Sequence, residues 1–157
     1  MRNKQKILLV YSLSFLGILI WLGVAALAPY LRSRASVLSS FFYGCFSPIC
    51  HQIPSRSFFV FGHPFAVCAR CLGIYAGFLG GLALYPRMRG FSSTRLPDTR
   101  LFLAVSIPIA MDMAANFIHL WSTPNELRFS FGLLLGLILP FYFVTGIAEL
   151  AMGNHKT

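Results

Sequence analysis

The sequence predicts an all-α integral membrane protein: a bundle of four transmembrane helices with a cap of short elements at its extracytoplasmic end. Composition is the first reason, because 57% of the 157 residues are hydrophobic and only 11% are charged. Soluble globular proteins carry about 25% charged residues. Pattern is the second reason, because four apolar stretches approach or exceed the ~20 residues that cross a bilayer. We expect one transmembrane domain over residues 1–157.

The first predicted span covers residues 7–29 and follows the basic segment RNKQK. A secretory signal peptide also has a basic start and an apolar core, and residues 26–28 (ALA) resemble a cleavage site. This apolar stretch, however, is longer than the roughly 7–15 residues of a signal-peptide core. Pro29 also follows the site directly. We therefore expect an uncleaved transmembrane helix.

The other three predicted spans cover residues 67–85, 101–121 and 129–150. Glycines recur every fourth position in two of them, and such repeats let membrane helices pack closely. The repeats are Gly73, Gly77 and Gly81 in the second span, with Gly132 and Gly136 in the fourth. Residues 31–66 contain apolar segments that are too short to cross a bilayer, so we expect them to form the cap.

Basic residues between the spans predict the orientation. Eight of them flank one side: Arg2, Lys4, Lys6, Arg87, Arg89, Arg95, Arg100 and Lys156. Five flank the other side: Arg32, Arg34, Arg56, Arg70 and Arg128. Because basic loops stay in the cytoplasm, we expect a multi-pass protein of the bacterial cytoplasmic (inner) membrane, with both termini cytoplasmic. The formal charge of +9 then reflects these loops and anionic lipid, and we expect no nucleic-acid partner.

The stretch CHQIPSRSFFVFGHPFAVCARC, residues 50–71, holds three of the four cysteines. A CxxC pair with a distant Cys or His is typical of a tetrahedral zinc site. We therefore expect zinc at the outer membrane face. The predicted ligands are Cys50, His51, Cys68 and Cys71, with His63 and His119 as alternative fourth ligands.

Two other interpretations of these cysteines stay open. A CxxC at the start of a helix, with Arg70 inside it, favours a reactive thiolate. That pattern fits a membrane thiol–disulfide oxidoreductase, quinone-coupled by architectural analogy, with Cys45 and Cys50 as a second pair. Alternatively, a structural disulfide or buried free thiols join the cap to the second span.

An acidic residue inside the third span predicts a polar site. Asp112, Asn116 and His119 share a helix face at i, i+4 and i+7. A carboxylate within a membrane costs at least about 2.5 kcal/mol unless it has a partner. Arg56, Arg70 and Arg128 are all candidate partners that reach Asp112 from the outer side. Arg128 lies in the first turn of the fourth span, where its charge opposes the helix dipole, so we expect it to face Asp112 or a bound anion. Thr123 is the predicted N-cap of that span.

The candidate catalytic residues are Asp112, His119, Arg56 and Arg128, with metal-activated water as the chemistry to test. The candidate cofactor-binding residues are Arg70, Tyr75, Asn116 and Asn125. Helical spacing places Tyr75 on the face of the CxxC cysteines. Besides the lipid bilayer, we expect an anionic lipid or small molecule as a partner of this pocket.

The motifs CHQIPSRSF, VCARCLGIYAG and NELRFSFGLLLG, with an Asp-containing span before the last, resemble an uncharacterised family of small bacterial membrane proteins. That family is catalogued as a domain of unknown function, and the resemblance covers residues 50–136. The motif positions are Cys50, His51, Arg56, Cys68, Arg70, Cys71, Tyr75, Asp112, Asn125 and Arg128. The resemblance implies a shared site. Because Cys45 falls outside the pattern, the odd number of motif cysteines with a histidine suits a metal better than disulfide exchange.

The sequence therefore predicts a small polytopic membrane protein with a Cys/His metal site and an adjacent polar pocket, whose activity it does not assign. An accessory subunit of a larger membrane complex is a further alternative, since the 15% aromatic content suits contacts with lipid or with another protein.

Overall fold

The computed structural model describes residues 2–88 and 98–152, and it is mostly helical. The elements are α1 (Arg2–Ser33), α2 (Leu38–Phe46), a 3-10 helix (Pro54–Arg56), β1 (Phe59–Val60), β2 (His63–Pro64), α3 (Ala69–Met88), α4 (Thr99–Phe117) and α5 (Asn125–Met152). Three residues used for the predicted orientation, Arg89, Arg95 and Lys156, lie outside the described residues.

Three of the described helices are long and apolar enough to cross a membrane, namely α1, α4 and α5. Many apolar side chains of α1 point away from the protein, as expected where lipid is the solvent: Leu9, Leu13, Leu16 and Ile20 are more than half exposed. The helix α3 is not among the three. The prediction of four transmembrane helices is therefore not confirmed.

The two helices with glycine repeats form the tightest helix pair, α3 with α5. A Cβ added to Gly73 would overlap the carbonyl oxygen of Phe129, and one added to Gly81 would overlap that of Leu137. On the other helix, a Cβ at Gly132 would overlap the carbonyl oxygen of Arg70. The contacts advance in the same direction along both helices, so α3 and α5 run parallel. The glycine repeats thus bring the two backbones together, as the sequence predicts.

The helix α1 runs antiparallel to this pair. Near its C-terminal end, Ala25 and Ala28 pack in the same buried cluster as Cys50 and Val67, just before α3 begins. Near its N-terminal end, Ile7 packs with Leu82, Tyr85 and Val144. The helix α3 therefore extends from one end of α1 to the other.

Short elements cover the end of the bundle where α3 and α5 begin, which we call the capped end. The helix α2 packs there, and β1 and β2 form an antiparallel hairpin in which Val60 pairs with His63. Phe61 and Gly62, at φ 54° and 76°, make the left-handed turn between the two strands.

The helix α4 ends earlier than the sequence predicts. It stops at Phe117 rather than near Trp121, and His119 has a left-handed backbone with φ 57°. The stripe predicted for Asp112, Asn116 and His119 is therefore wrong at its last member, which lies beyond the helix. Asp112 lies only five residues before the helix end, or about 8 Å along the axis.

Candidate metal centre and adjoining polar cavity

Three cysteines converge at the capped end. The Sγ atoms of Cys50, Cys68 and Cys71 all lie within 4.8 Å of one another. Cys68 directly precedes α3, and Cys71 lies in its first turn. Cys50 comes from the other side, after α2, and is buried. These three residues, which we call the cysteine cluster, offer the thiolate donors that zinc and other soft metals prefer.

Backbone geometry brings Cys50 to the other two. The amide of Cys50 donates to the carbonyl of Phe46 at 3.0 Å, which closes the turn after α2. Gln52, with φ 50°, then turns its side chain inward, and its Nε2 donates to the carbonyls of Tyr43 at 2.7 Å and Ala66 at 2.8 Å. The Gln52 amide thus fastens the chain around Cys50 to the segment that leads into Cys68.

The local hydrogen bonds favour a thiolate at Cys50. The Cys68 backbone amide donates to the Cys50 Sγ at 3.1 Å. Hydrogen bonds from the thiols of Cys68 and Cys71 outweigh burial and lower the pKa of the Cys50 thiol. A deprotonated sulfur is the form that binds a metal or attacks a disulfide.

The other predicted ligands lie outside the cysteine cluster. His51 is exposed, and its ring nitrogens are not among the mutually close ligand atoms. His63 is half-buried in β2. Cys45 is exposed on α2, and all four cysteines are free thiols. The structure therefore brings together three of the four predicted metal ligands.

One of the two residues between the CxxC cysteines, Arg70, links the cysteine cluster to α4. Arg70 forms an ion pair through its Nη2 with Oδ2 of Asp112, the buried carboxylate of α4. The hydroxyl of Thr123 donates to Oδ1 of Asp112 at 2.5 Å, and Nδ2 of Asn116 lies 3.2 Å from the same oxygen. Both carboxylate oxygens are thus engaged, which explains how α4 holds a buried acid.

The polar network continues to the start of α5. The backbone amide of Thr123 and the guanidinium of Arg128 both donate to Oδ1 of Asn116, at 3.3 Å and 2.9 Å. Asn125, the first residue of α5, donates weakly to the carbonyls of Ser55 and Ser57 at 3.4 Å. A continuous path of polar contacts thus runs from Arg70 to the beginning of α5.

A cavity of about 320 Å³ lies at the end of this network. It opens where α4 ends and α5 begins, beside the 3-10 helix, and we call it the polar cavity. Its lining includes Arg56, Asn116, His119, Thr123, Asn125 and Arg128. Five of the predicted catalytic and cofactor-binding residues therefore line one cavity: Arg56, Asn116, His119, Asn125 and Arg128. His119 does so from a position beyond the end of α4.

Three predicted pocket residues do not line the polar cavity. Asp112 and Arg70 form an ion pair with each other, and Thr123 also contacts Asp112. Tyr75 lines a different, apolar cavity of about 330 Å³, and its ring packs edge-on against Trp21 at 6.2 Å between centroids. Tyr75 shares its helix face with the cysteines as predicted, but that face turns towards α1.

Sequence reasoning missed two residues. Thr123 was expected only as a helix cap, yet its hydroxyl joins Asp112 to Asn116. Gln52 was not singled out, although a polar residue directly after Cys50 and His51 in an apolar segment was the available signal.

Comparisons with known proteins show which family this chain resembles. The family model described as "Predicted membrane protein (DUF2085)" matches residues 50–142. An uncharacterized protein of Methanocaldococcus jannaschii is 37% identical over 155 residues, covering 97% of this chain and 99% of that protein. An uncharacterized protein of Methanothermobacter thermautotrophicus is 38% identical over 92 residues, covering 59% of this chain and 81% of that protein. No solved structure matches.

These relatives correct one prediction. Both come from archaea, so the expected bacterial origin of the family members is not supported. The family match begins at Cys50 and extends through the CxxC, the α4 carboxylate and about two thirds of α5, so it contains the cysteine cluster and the polar network. The chain belongs to the DUF2085 family of predicted membrane proteins.

Proposed function

We propose that this protein is a metal-binding membrane protein that holds zinc with the thiolates of Cys50, Cys68 and Cys71. The observation that carries this proposal is the mutual approach of the three sulfur atoms within 4.8 Å. Cys50 is buried and comes from a different segment than Cys68 and Cys71, which are partly buried. A shared metal ion explains why the three sulfur atoms come together. The amide of Cys68 that faces the Cys50 sulfur supports the same proposal, since metal-bound thiolates need outer hydrogen bonds.

Three protein thiolates leave one position of a tetrahedral zinc ion to be filled. His51 adjoins Cys50 and is exposed, so a change of its side-chain rotamer is the shortest route to a fourth protein ligand. Water or a substrate is the other possible fourth ligand, as in catalytic zinc sites. A His51→Ala variant decides between them, because loss of a structural ligand lowers zinc retention whereas a water-bound site keeps its zinc.

The role that we assign to Asp112 is to hold the CxxC in place. Its carboxylate faces Arg70 and Thr123 rather than open space, so it is poorly placed to act as a base. Arg70 lies between two of the proposed ligands, and its ion pair therefore fixes the start of α3 against α4.

We also propose that α3 is a fourth crossing, with the capped end outside and both termini in the cytoplasm. The support is that α3 runs parallel to α5 and extends along α1 from the Ala25 end to the Ile7 end. The low hydropathy of α3 is tolerable because its glycine face is covered by α5. Labelling with a membrane-impermeant maleimide tests this topology, because Cys45 is exposed at the capped end.

Metal analysis of the detergent-purified full chain tests the zinc site. We expect about one zinc per chain in the wild type and in Cys45→Ser, whose cysteine lies outside the cysteine cluster. We expect zinc to be lost from Cys68→Ser. Substoichiometric metal in every sample, or equal zinc in Cys45→Ser and Cys68→Ser, would contradict the proposal.

A thiol–disulfide oxidoreductase is the second candidate, because the same close sulfurs and the lowered pKa of Cys50 also suit disulfide exchange. A shuttle with a second cysteine pair would need Cys45, which is not part of the cysteine cluster. Alkylation of membranes isolated under oxidising conditions distinguishes the candidates. Four free thiols after metal removal exclude a stable disulfide, whereas two free thiols that become four on reduction favour the oxidoreductase.

A further inference from the structure

We infer that the polar cavity is a binding site for a phosphate-type oxyanion, separate from the proposed zinc site. Arg56, Arg128 and His119 are among the residues that line it. Among the residues that the structure describes, no acidic side chain lines it. The charge of the residues that line the cavity is therefore positive.

The strongest evidence is the burial of Arg128. This residue is only 6% exposed, and its Nε is buried without a hydrogen-bond acceptor. Its Nη2 donates to Oδ1 of Asn116, which is a neutral amide oxygen. A buried cation is costly unless an opposite charge compensates it. Within the described parts of the chain, no carboxylate forms an ion pair with Arg128.

The nearest candidate for that compensating charge is already used. Asp112 is paired with Arg70, and its other oxygen accepts from Thr123. Asn116 therefore stands between the carboxylate and Arg128 as an uncharged bridge, with its oxygen turned towards the arginine. The network neutralises Arg70 and leaves the charge of Arg128 for something that enters the cavity.

Helix electrostatics add to this imbalance. Arg128 lies in the first turn of α5, a helix of 28 residues whose positive dipole end points to the cavity. Backbone amides at a helix N-terminus bind phosphate and similar anions. A cation placed there is unfavourable by itself, but a cation and a helix start that face one cavity together attract an anion.

The ligand class follows from the donors and the space. Guanidinium groups match the paired oxygens of phosphate better than a point charge does. A cavity of about 320 Å³ accepts a headgroup-sized anion and lies at the lower end of the range for ligand pockets, roughly 300–1,000 Å³. Because the cavity lies where two apolar helices end, the phosphate belongs either to a lipid headgroup or to a free ion.

The test uses the full chain in two arms. One arm measures binding of inorganic phosphate to the detergent-purified protein by equilibrium dialysis. The other reconstitutes the protein in vesicles of phosphatidylcholine with a minor fraction of phosphatidylglycerol, and measures by native mass spectrometry which lipid is retained. The variants are Arg56→Gln, Arg128→Gln and the matched control Arg34→Gln, an exposed arginine at the capped end that lies outside the cavity.

We expect the wild type and Arg34→Gln to bind phosphate, to retain phosphatidylglycerol preferentially, or both. Loss of one charged donor weakens such binding about tenfold or more, so Arg56→Gln and Arg128→Gln should lose it. Binding of phosphate alone identifies a free ion as the ligand, and lipid preference alone identifies a headgroup. Arg56 is exposed, so Arg56→Gln keeps the test valid if Arg128→Gln does not fold.

The inference is overturned if the wild type binds neither phosphate nor phosphatidylglycerol selectively. It is equally overturned if Arg34→Gln loses as much binding as Arg56→Gln, because that result would show diffuse surface attraction. Zinc content serves as the independent readout. Arg56→Gln should keep its zinc, since Arg56 is not part of the cysteine cluster.

Discussion

The ion pair between Arg70 and Asp112 gives the sharpest prediction about stability. Asp112→Asn removes the negative charge but keeps the side-chain shape and one acceptor oxygen for Thr123. The side chains of Arg70 and Asp112 are 18% and 6% exposed, so the variant leaves a largely buried guanidinium without its counter-charge. Removing one partner of a buried pair costs roughly 3–5 kcal/mol. Because Arg70 keeps some solvent contact, we expect Asp112→Asn to lower the free energy of unfolding by about 3 kcal/mol, the lower end of that range.

The assay is reversible unfolding of the purified protein in mixed detergent micelles, followed by circular dichroism at 222 nm. Asp98→Asn is the matched control, since Asp98 is an exposed N-cap whose Oδ1 accepts from the Arg100 amide at 3.0 Å. We expect Asp98→Asn to lower the free energy of unfolding by less than about 1 kcal/mol. The double variant with Arg70→Met should recover part of the loss, because it also removes the stranded charge. If Asp112→Asn costs no more than Asp98→Asn, our reasoning about the pair is wrong.

Three further predictions follow from other contacts. Gly77→Ala places a Cβ against the Leu133 carbonyl and should lower the free energy of unfolding by about 1–3 kcal/mol. Its control is Gly17→Ala, whose added Cβ would have no atom within 4 Å, and this substitution should leave the free energy of unfolding unchanged or raise it. Gln52→Ala removes the two bonds that hold the chain beside the cysteine cluster, so zinc affinity measured by chelator competition should fall about tenfold or more, with Gln5→Ala unchanged. Zinc should be retained at neutral pH and released as pH falls, because protons compete for thiolates; retention that does not vary during stepped acidification would contradict thiolate ligation.

Several features of the fold were predictable because they depend on local chemistry. Hydropathy identified the segments of α1, α4 and α5, since a span needs only a sufficient run of apolar residues. The glycine repeats predicted a close helix contact, because only small residues let backbones approach. The repeats could not show which helices would meet, so the packing of the α3 glycine face against α5 was not predictable from the sequence.

The candidate site was predictable only in part. The CxxC spacing placed Cys68 and Cys71 together, whereas Cys50 reaches them through the turn after α2 and the bonds of Gln52. The position of His119 depended on where α4 ends, and helix ends are set by turns that hydrophobic periodicity does not register.

By itself, the sequence determined that this is a helical membrane protein, where its apolar helices lie, and that thiols and an intramembrane acid are present. These properties follow from composition and from periodicity within one segment. The tertiary structure decided the partners: Arg70 among three candidate arginines for Asp112, and an apolar rather than a polar neighbourhood for Tyr75. Periodicity fixes the face of a helix on which a residue lies, but only the packing of helices against one another decides what that face meets.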